Sequence, residues 1–332
     1  MSSIIISVVI ATCNRQTVLV DCLKSLEKQS LDRDLFEVVV VNDGSTDSTE
    51  HFLRDFQLGT KINFRFITHE NQGVSYSRNA GIRAALGEYI AFTDDDCIVP
   101  EGWLRQMYDR FASPEGEVAG VGGPLVCFTS HPDTYISRFI SYVDDFNYIP
   151  VLGKMIIMHS HVSKLRGGEV IPYLRTSNSM FRKSCLEEIG GFDIDFRRPG
   201  GEDPDLCYRL LNLNYRLCID KDLVVSHHSR DSFSSYFKSL KNYLAGEFRK
   251  SKKRSLYANV VIRRSYEYLI LRKIAVAVIF CLLCPFSIIN GLRRKKYPLT
   301  DSLTFPFIII ASKFYALAVT TSFYLGISDI SG

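Results

Sequence analysis

Two β-branched runs, "IIISVVIA" (4–11) and "FEVVVV" (36–41), bracket a stretch whose apolar residues recur at helical spacing. In that stretch, "NRQTVLVDCLKSLEKQ", Val18, Leu19, Cys22, Leu23 and Leu26 share one helix face behind Asn14, a residue suited to capping it. Strand, helix and strand in that order restrict the chain to a β-α-β unit. The alternation continues, with "STEHFLRDF" helical, "INFRFIT" extended, "GVSYSRNAGIRAAL" helical and "EYIAFT" extended. The pattern predicts an α/β fold with a mostly parallel sheet, helices on both faces, and ligands at the carboxyl ends of the strands.

Beyond Trp103 the pattern is mixed. "EVAGVGGPLVCF" (117–128) predicts a glycine-punctuated strand, and "IPYLRTSNSMFRKSCLEEIGGFD" predicts strand, short helix and glycine stop. "EDPDLCYRLLNLNYRLCID" predicts helix then strand, and residues 129–170, which have no clean period, are read as an insertion able to cover the site.

Chemistry concentrates at strand ends. In "GEYIAFTDDDCIVPEGWL" an apolar strand ends in Asp94, Asp95 and Asp96. Adjacent carboxylates repel one another, and desolvation adds to that cost unless a cation is present. In extended backbone Asp94 and Asp96 project to the same side, where hard oxygens suit Mg²⁺ or Mn²⁺; the alternative is a solvated turn. In "VVVVNDGSTDST", Asp43 ends a second strand, placed either to accept hydrogen bonds from a base or sugar or simply to open a turn before a helix cap at Ser45 or Asp47. Arg78, in "NQGVSYSRNAG", is either a diphosphate partner or a surface helix residue.

Taken in order, "VVIATCNR", "VVVVNDGSTD", "NQGVSYSRNAGIRAALGEYIAFTDDDC", "GGFD" and "GGEDPDLCYRL" resemble glycosyltransferase family 2, over roughly residues 4 to 250. The resemblance implies a GT-A fold and an inverting, metal-dependent enzyme of hexosyltransferase type that uses a nucleotide-sugar donor. It implies that Thr12, Asn14 and Arg15 contact the nucleotide, that Asp43 recognises the base, and that Arg78 precedes the metal strand. Asp94, Asp95 and Asp96 match the family's DxD motif, with Asp96 the direct ligand of Mn²⁺ or Mg²⁺ and Asp94 or Asp95 sharing metal and ribose contacts. Asp203 matches the catalytic base. One of His227 and His228 matches a His near the diphosphate or metal, and His227 fits better because Arg230 follows it at the family's offset. Glu202 and Asn178 are second-rank candidates near the acceptor, although Glu202 equally suits a helix N-terminus and Asn178 a turn. Trp103 is read as a packing residue. Because Trp103 is the only Trp, the Gln-x-x-Arg-Trp motif of processive synthases is absent, and single additions are expected. A silent nucleotide-sugar-binding scaffold is one alternative. A nucleotidyltransferase is another, and "ATCNRQTV" lacks the glycine-rich loop it requires.

Charge and hydropathy divide the chain further. Its 332 residues are 46% hydrophobic, which excludes wholesale disorder. Residues 1–237 hold 24 Lys and Arg against 32 Asp and Glu, whereas Lys238 to Lys273 hold 11 against 2. After this basic neck come two apolar stretches, 274–292 and 302–328, separated by "RRKK" (293–296). We expect a transferase domain over 1–235, a basic neck over 236–273 and a membrane-associated hydrophobic helical hairpin over 274–332. The neck and "RRKK" both belong in the cytosol by the positive-inside tendency, so a re-entrant hairpin kinked at Pro285 and Pro306 competes with an ordinary two-span one. No signal peptide opens the chain, and nine scattered cysteines fit reduced thiols, so the expected location is the cytoplasmic face of the cell membrane. The expected partners are membrane lipid and a lipid-linked or cell-surface glycan acceptor of the cell envelope. Nucleic acid is not expected. A UDP sugar is the leading donor, with dTDP and GDP sugars open.

Overall fold

The computed structural model describes residues 4–111, 118–128, 134–140, 162–164, 170–228, 232–257, 270–271, 273–274, 277–278, 281 and 298–325. Most of the expected insertion (129–170) and of the first apolar stretch (274–292), with all of "RRKK", Pro285 and Arg230, lies outside the described residues. The chain divides into two units, residues 1–128, 161–198 and 202–228, and residues 129–160, 199–201 and 229–332.

The strands in chain order are β1 (Ile6–Thr12), β2 (Phe36–Asp43), β3 (Asn63–His69), β4 (Tyr89–Phe92), β5 (Cys97–Ile98), β6 (Val118–Gly122), β7 (Leu125–Phe128), β8 (Val162–Lys164), β9 (Val170–Pro172), β10 (Ser179–Arg182), β11 (Arg216–Ile219) and β12 (Val225–His228). In the first unit seven of them form one sheet in the order β11-β6-β10-β4-β1-β2-β3. Its β1-β2, β2-β3, β1-β4 and β6-β11 pairs are parallel, and β10 runs antiparallel to β4 and β6. The helices of this unit are α1 (Gln16–Glu27), α2 (Thr49–Gly59), α3 (Val74–Ala84), α4 (Trp103–Phe111), α5 (Lys183–Glu188) and α6 (Glu202–Asn212).

Both faces of the sheet are covered, which is why its strands read as continuous apolar runs. Val8, Ile10, Val38 and Val40 pack with Leu19, Leu23, Trp103 and Met107. Val9, Ile90 and Phe92 point the other way, against Ile82, Leu186 and Leu206. The period of two along β1 thus separates two cores. Glu37, buried within β2, is held by Ser7 Oγ at 2.5 Å, Arg65 Nε at 2.8 Å and the Leu86 amide at 2.7 Å.

Two local expectations change. Asn14 does not cap α1; it adopts φ 54° and accepts hydrogen bonds from the Thr46 and Asp47 amides at 2.7 and 3.2 Å. Residues 118–128 form two strands instead of one. The chain breaks at Gly123, which packs so tightly on the Leu223 backbone that a Cβ would lie 2.0 Å from its carbonyl oxygen, and at Pro124, which has no amide to donate. The break releases β7 to pair with β12 in a three-stranded sheet, β5-β12-β7.

In the second unit α7 (Phe233–Tyr257) packs on α8 (Leu299–Tyr324) through Leu244, Phe248, Ala316 and Phe323. Arg138 pairs with the buried Asp301, and Phe305 packs against Tyr135 and Phe139. Leu299, Leu303, Phe307 and Phe314 stay at least 41% exposed along α8, leaving apolar side chains without cover in this unit. Among the described residues α8 is the one helix long and apolar enough to cross a membrane.

Gly81 is where α3 meets the sheet, and a Cβ there would lie 2.3 Å from Val9 Cγ1. Valine cannot turn its stiff side chain away within a packed core, so Gly81→Ala should cost about 1–3 kcal/mol, read as a lower urea midpoint.

Candidate active site

The strand order β3-β2-β1-β4 shows that the chain builds outward from β1 and then returns to its other side, leaving a crevice at the carboxyl ends of β1 and β4. Val9 lies opposite Phe92, so three further residues bring Thr12 beside Asp95. Thr12 Oγ1 donates to Asp95 Oδ2 at 2.7 Å. From the turn into α1, Arg15 Nε lies 3.0 Å from Asp95 Oδ1, and its Nη2 pairs with Asp96 Oδ2. Burial opposes the Arg15 charge, but the Asp95 and Asp96 carboxylates outweigh it and raise its pKa. Burial likewise pushes Asp95 up to about 7, with Arg15 pulling it down and Asp96 adding to the rise. Thr12 and Arg15 therefore serve as internal supports of the triple Asp, while Asn14 ties the β1 loop to the β2 loop.

Asp43 is buried at the end of β2. Its Oδ1 accepts from the Gln72 amide at 2.8 Å and its Oδ2 from the Gly73 amide at 3.0 Å, with His69 Nδ1 3.4 Å from Oδ1. The carboxylate thus shapes the loop that starts α3. The turn after it requires glycine, because Gly44 has φ +67° and a Cβ there would lie 2.6 Å from the Asn71 nitrogen.

Arg78 is fully engaged with carboxylates. Its Nη2 lies 3.0 Å from Asp94 Oδ1 and its Nη1 lies 3.0 Å from Glu202 Oε1 and 3.7 Å from Asp203 Oδ1. Phe192, from the "GGFD" segment, lies under the guanidinium with its ring centroid 5.5 Å from Cζ. Read from sequence as a diphosphate partner, Arg78 is a buried bridge between the triple Asp and the first turn of α6. Burial works against its charge, and Asp94, Asp203 and Glu202 more than restore it. Thr176, which the sequence reading missed, donates from its amide at 3.2 Å and from Oγ1 at 2.8 Å to the two oxygens of Asp203. Burial first, and then the Glu202 charge, push the Asp203 carboxyl up to about 7 against the pull of Arg78.

His227 and His228 separate cleanly, because neighbours on a strand face opposite ways. His227 Nε2 lies 3.3 Å from Asp96 Oδ1. The ring of His228 packs edge-on against Phe128, and its amide donates to the Asp96 carbonyl at 2.9 Å. Ligand atoms of Asp96, Cys97 and His227 all lie within 4.8 Å of one another, which fits a divalent cation. Cys97 directly follows the triple Asp, a proximity visible in the sequence but read there only as a reduced thiol. Asn178 does not face this cluster. Its Oδ1 accepts from Trp103 Nε1 at 2.9 Å, and its Nδ2 donates to the Pro124 and Leu223 carbonyls at 3.0 and 2.7 Å. Trp103, with no exposed surface, is a packing residue, as its sequence setting suggested.

A family model described as Glycosyl transferase family 2 matches residues 7–190. Chondroitin synthase of Escherichia coli is 30% identical over 224 residues, 62% of this chain. Pre-mycofactocin glycosyltransferase of Mycobacterium tuberculosis is 26% identical over 197 residues, 58% of this chain. The chain spans about a third of the length of these relatives, 32% and 37%. A solved mannosyltransferase from Pyrobaculum calidifontis, in complex with GDP-Man and Mn²⁺, has a TM-score of 0.61 at 18% identity, covering 96% of this chain and 86% of that one. The S. aureus TarS fragment 1–349 in complex with UDP-GlcNAc has a TM-score of 0.52 at 18% identity, covering 97% of this chain and 92% of that one. At these identities the structural likeness establishes the GT-A fold.

Arg78→Met would leave Asp94, Glu202 and Asp203 without their shared cation. A loss of roughly 3–5 kcal/mol is expected. It should be larger at pH 8 than at pH 5, because the Asp203 carboxyl, pushed up to about 7, is ionised at the higher pH, and denaturant unfolding at the two pH values measures it.

Proposed function

The chain belongs to glycosyltransferase family 2, and on that premise we propose an inverting, non-processive, membrane-associated transferase. It moves a sugar from a nucleoside diphosphate donor, with UDP sugars first in line, to a hydroxyl of a lipid-linked or cell-surface glycan. The observation that carries this reading is the buried Arg78 guanidinium, which holds Asp94 on the donor side and Glu202 and Asp203 on the acceptor side with one group. The GDP-Man and UDP-GlcNAc complexes of the structural neighbours support a nucleotide-sugar donor.

In the proposed reaction Asp203 takes the proton of the acceptor hydroxyl as that oxygen attacks the anomeric carbon. The bond to the diphosphate oxygen breaks on the opposite face, so a single displacement inverts the centre. Thr176 orients the base by donating to both of its oxygens. Asp43 and the loop it fixes form the base end of the donor site, and Thr12 and Arg15 keep Asp95 and Asp96 in place. Asp96, with His227 and Asp94, would hold Mn²⁺ or Mg²⁺, which would supply positive charge for the departing diphosphate.

Support for the membrane assignment comes from α8, with its exposed apolar side chains, and from the basic run Lys238 to Lys273. Neutralising Lys250, Lys252, Lys253 and Arg254 should weaken binding to anionic vesicles by about 1 kcal/mol per charge, measured by co-sedimentation, with little change on neutral vesicles. Equal binding of the variant to anionic vesicles would remove the electrostatic part of this reading.

A thermal-shift screen against UDP, GDP and dTDP sugars, with and without Mn²⁺, tests the donor. One nucleotide class should raise the melting temperature in a metal-dependent way. Asp203→Asn should keep that shift while turnover falls by about 10²–10⁴-fold. Because the base must be ionised, the wild-type rate should climb with pH and level off above about 7. The linkage runs the other way for stability: with its folded pKa above the 3.8 of an ordinary Asp, this carboxyl costs stability as pH rises through about 7.

A further inference from the structure

We propose that Cys97 is a further metal ligand beside Asp96 and His227, so that the site ranks Co²⁺ above Mn²⁺ and both above Mg²⁺. The inference rests on the proposed metal-binding role of Asp96 and His227 and goes past it to the choice of metal. It starts from strand register. Cys97 on β5 lies directly opposite His227 on the antiparallel β12, and residues so paired direct their side chains to one face. Asp96 reaches the same place from the adjoining turn, its Oδ1 3.3 Å from His227 Nε2. Oxygen, sulfur and nitrogen donors therefore converge within 4.8 Å from two strands whose pairing fixes their separation.

The surroundings of the thiol point the same way. Cys97 has no exposed surface, and the charges nearest it are carboxylates, Asp94 and Asp96. A divalent cation reverses the field. On binding, the sulfur–hydrogen bond is exchanged for a sulfur–metal bond and the proton passes to solvent, with no change of oxidation state. A donor set of carboxylate, imidazole and thiolate suits borderline transition metals, whereas Mg²⁺ favours oxygen alone and dehydrates reluctantly.

The test is titration of the full-length, detergent-solubilised protein with Co²⁺, followed in the near ultraviolet for sulfur-to-cobalt charge transfer. Cys218 and Cys281, both exposed, are replaced by serine to lower the background. The expected result is a charge-transfer band that saturates with one cobalt, accompanied by release of a proton, and resists Mg²⁺ in large excess. Cys97→Ala should abolish the band and weaken Co²⁺ binding about tenfold or more. His227→Ala, at a site less buried than Cys97, should weaken the band as well, so a folding defect in the Cys97 variant would not hide the answer. Cobalt binding that depends on Asp96 and His227 but shows no charge-transfer band, or a band that survives Cys97→Ala, would overturn the proposal while leaving the metal site standing. Absence of any cobalt binding that responds to Asp96→Asn would overturn both.

Discussion

Five carboxylates crowd the carboxyl ends of this sheet, and two arginines make that crowding tolerable. Asp94, Asp95 and Asp96 come from one turn, Glu202 and Asp203 from the start of α6, and every one of them lies within 4 Å of a nitrogen of Arg15 or Arg78. Removing such charges from water costs several kcal/mol per ion, so pairing of this kind is a weak source of stability. Its use is positional. Arg78 cannot satisfy Asp94 without also fixing the segment that bears Asp203, so the two halves of the site share one electrostatic anchor.

The same economy governs the loops. Thr12, Asp43 and Asn178 carry polar groups at or near strand ends, and in the structure each buries them in hydrogen bonds within the protein, while Asn14 makes its bonds at the surface. Asp43 shapes the approach to α3 by accepting two amides, and Asn178 joins three segments through Trp103, Pro124 and Leu223. Buried hydrogen-bonded groups of this sort hold a crevice open at a fixed width, because apolar contacts alone do not specify direction. Preorganisation of the charged groups follows from that rigidity.

The second unit obeys different rules. Its α7 and α8 share an aromatic contact surface, yet α8 leaves large apolar side chains uncovered. Exposed apolar side chains, in a unit whose segment from Lys238 to Lys273 holds eleven basic residues, suit the membrane surface proposed for it. Placing the transferase at a membrane would in turn limit its acceptors to those that a membrane presents.

Much of this architecture was legible in the sequence because periodicity is local. The runs at 4–11 and 36–41 and the helical spacing between them are set by residues a few positions apart, and so were the triple Asp and the family motifs around it. What the sequence left open depended on pairs distant in the chain. Whether Asn14 caps a helix or joins two loops was decided by Thr46 and Asp47, 32 and 33 residues away. Which of two adjacent histidines meets Asp96 was decided by the pairing of β12 with β5. Arg78 became a bridge because Glu202, 124 residues later, arrives on its other side. The sequence by itself determined the α/β alternation, the acidic strand end and the basic, apolar carboxyl-terminal region, since each is written in neighbouring residues. Only the tertiary structure decided which polar groups face the crevice and which are consumed in holding it, because a side chain's partner is set by how the strands align.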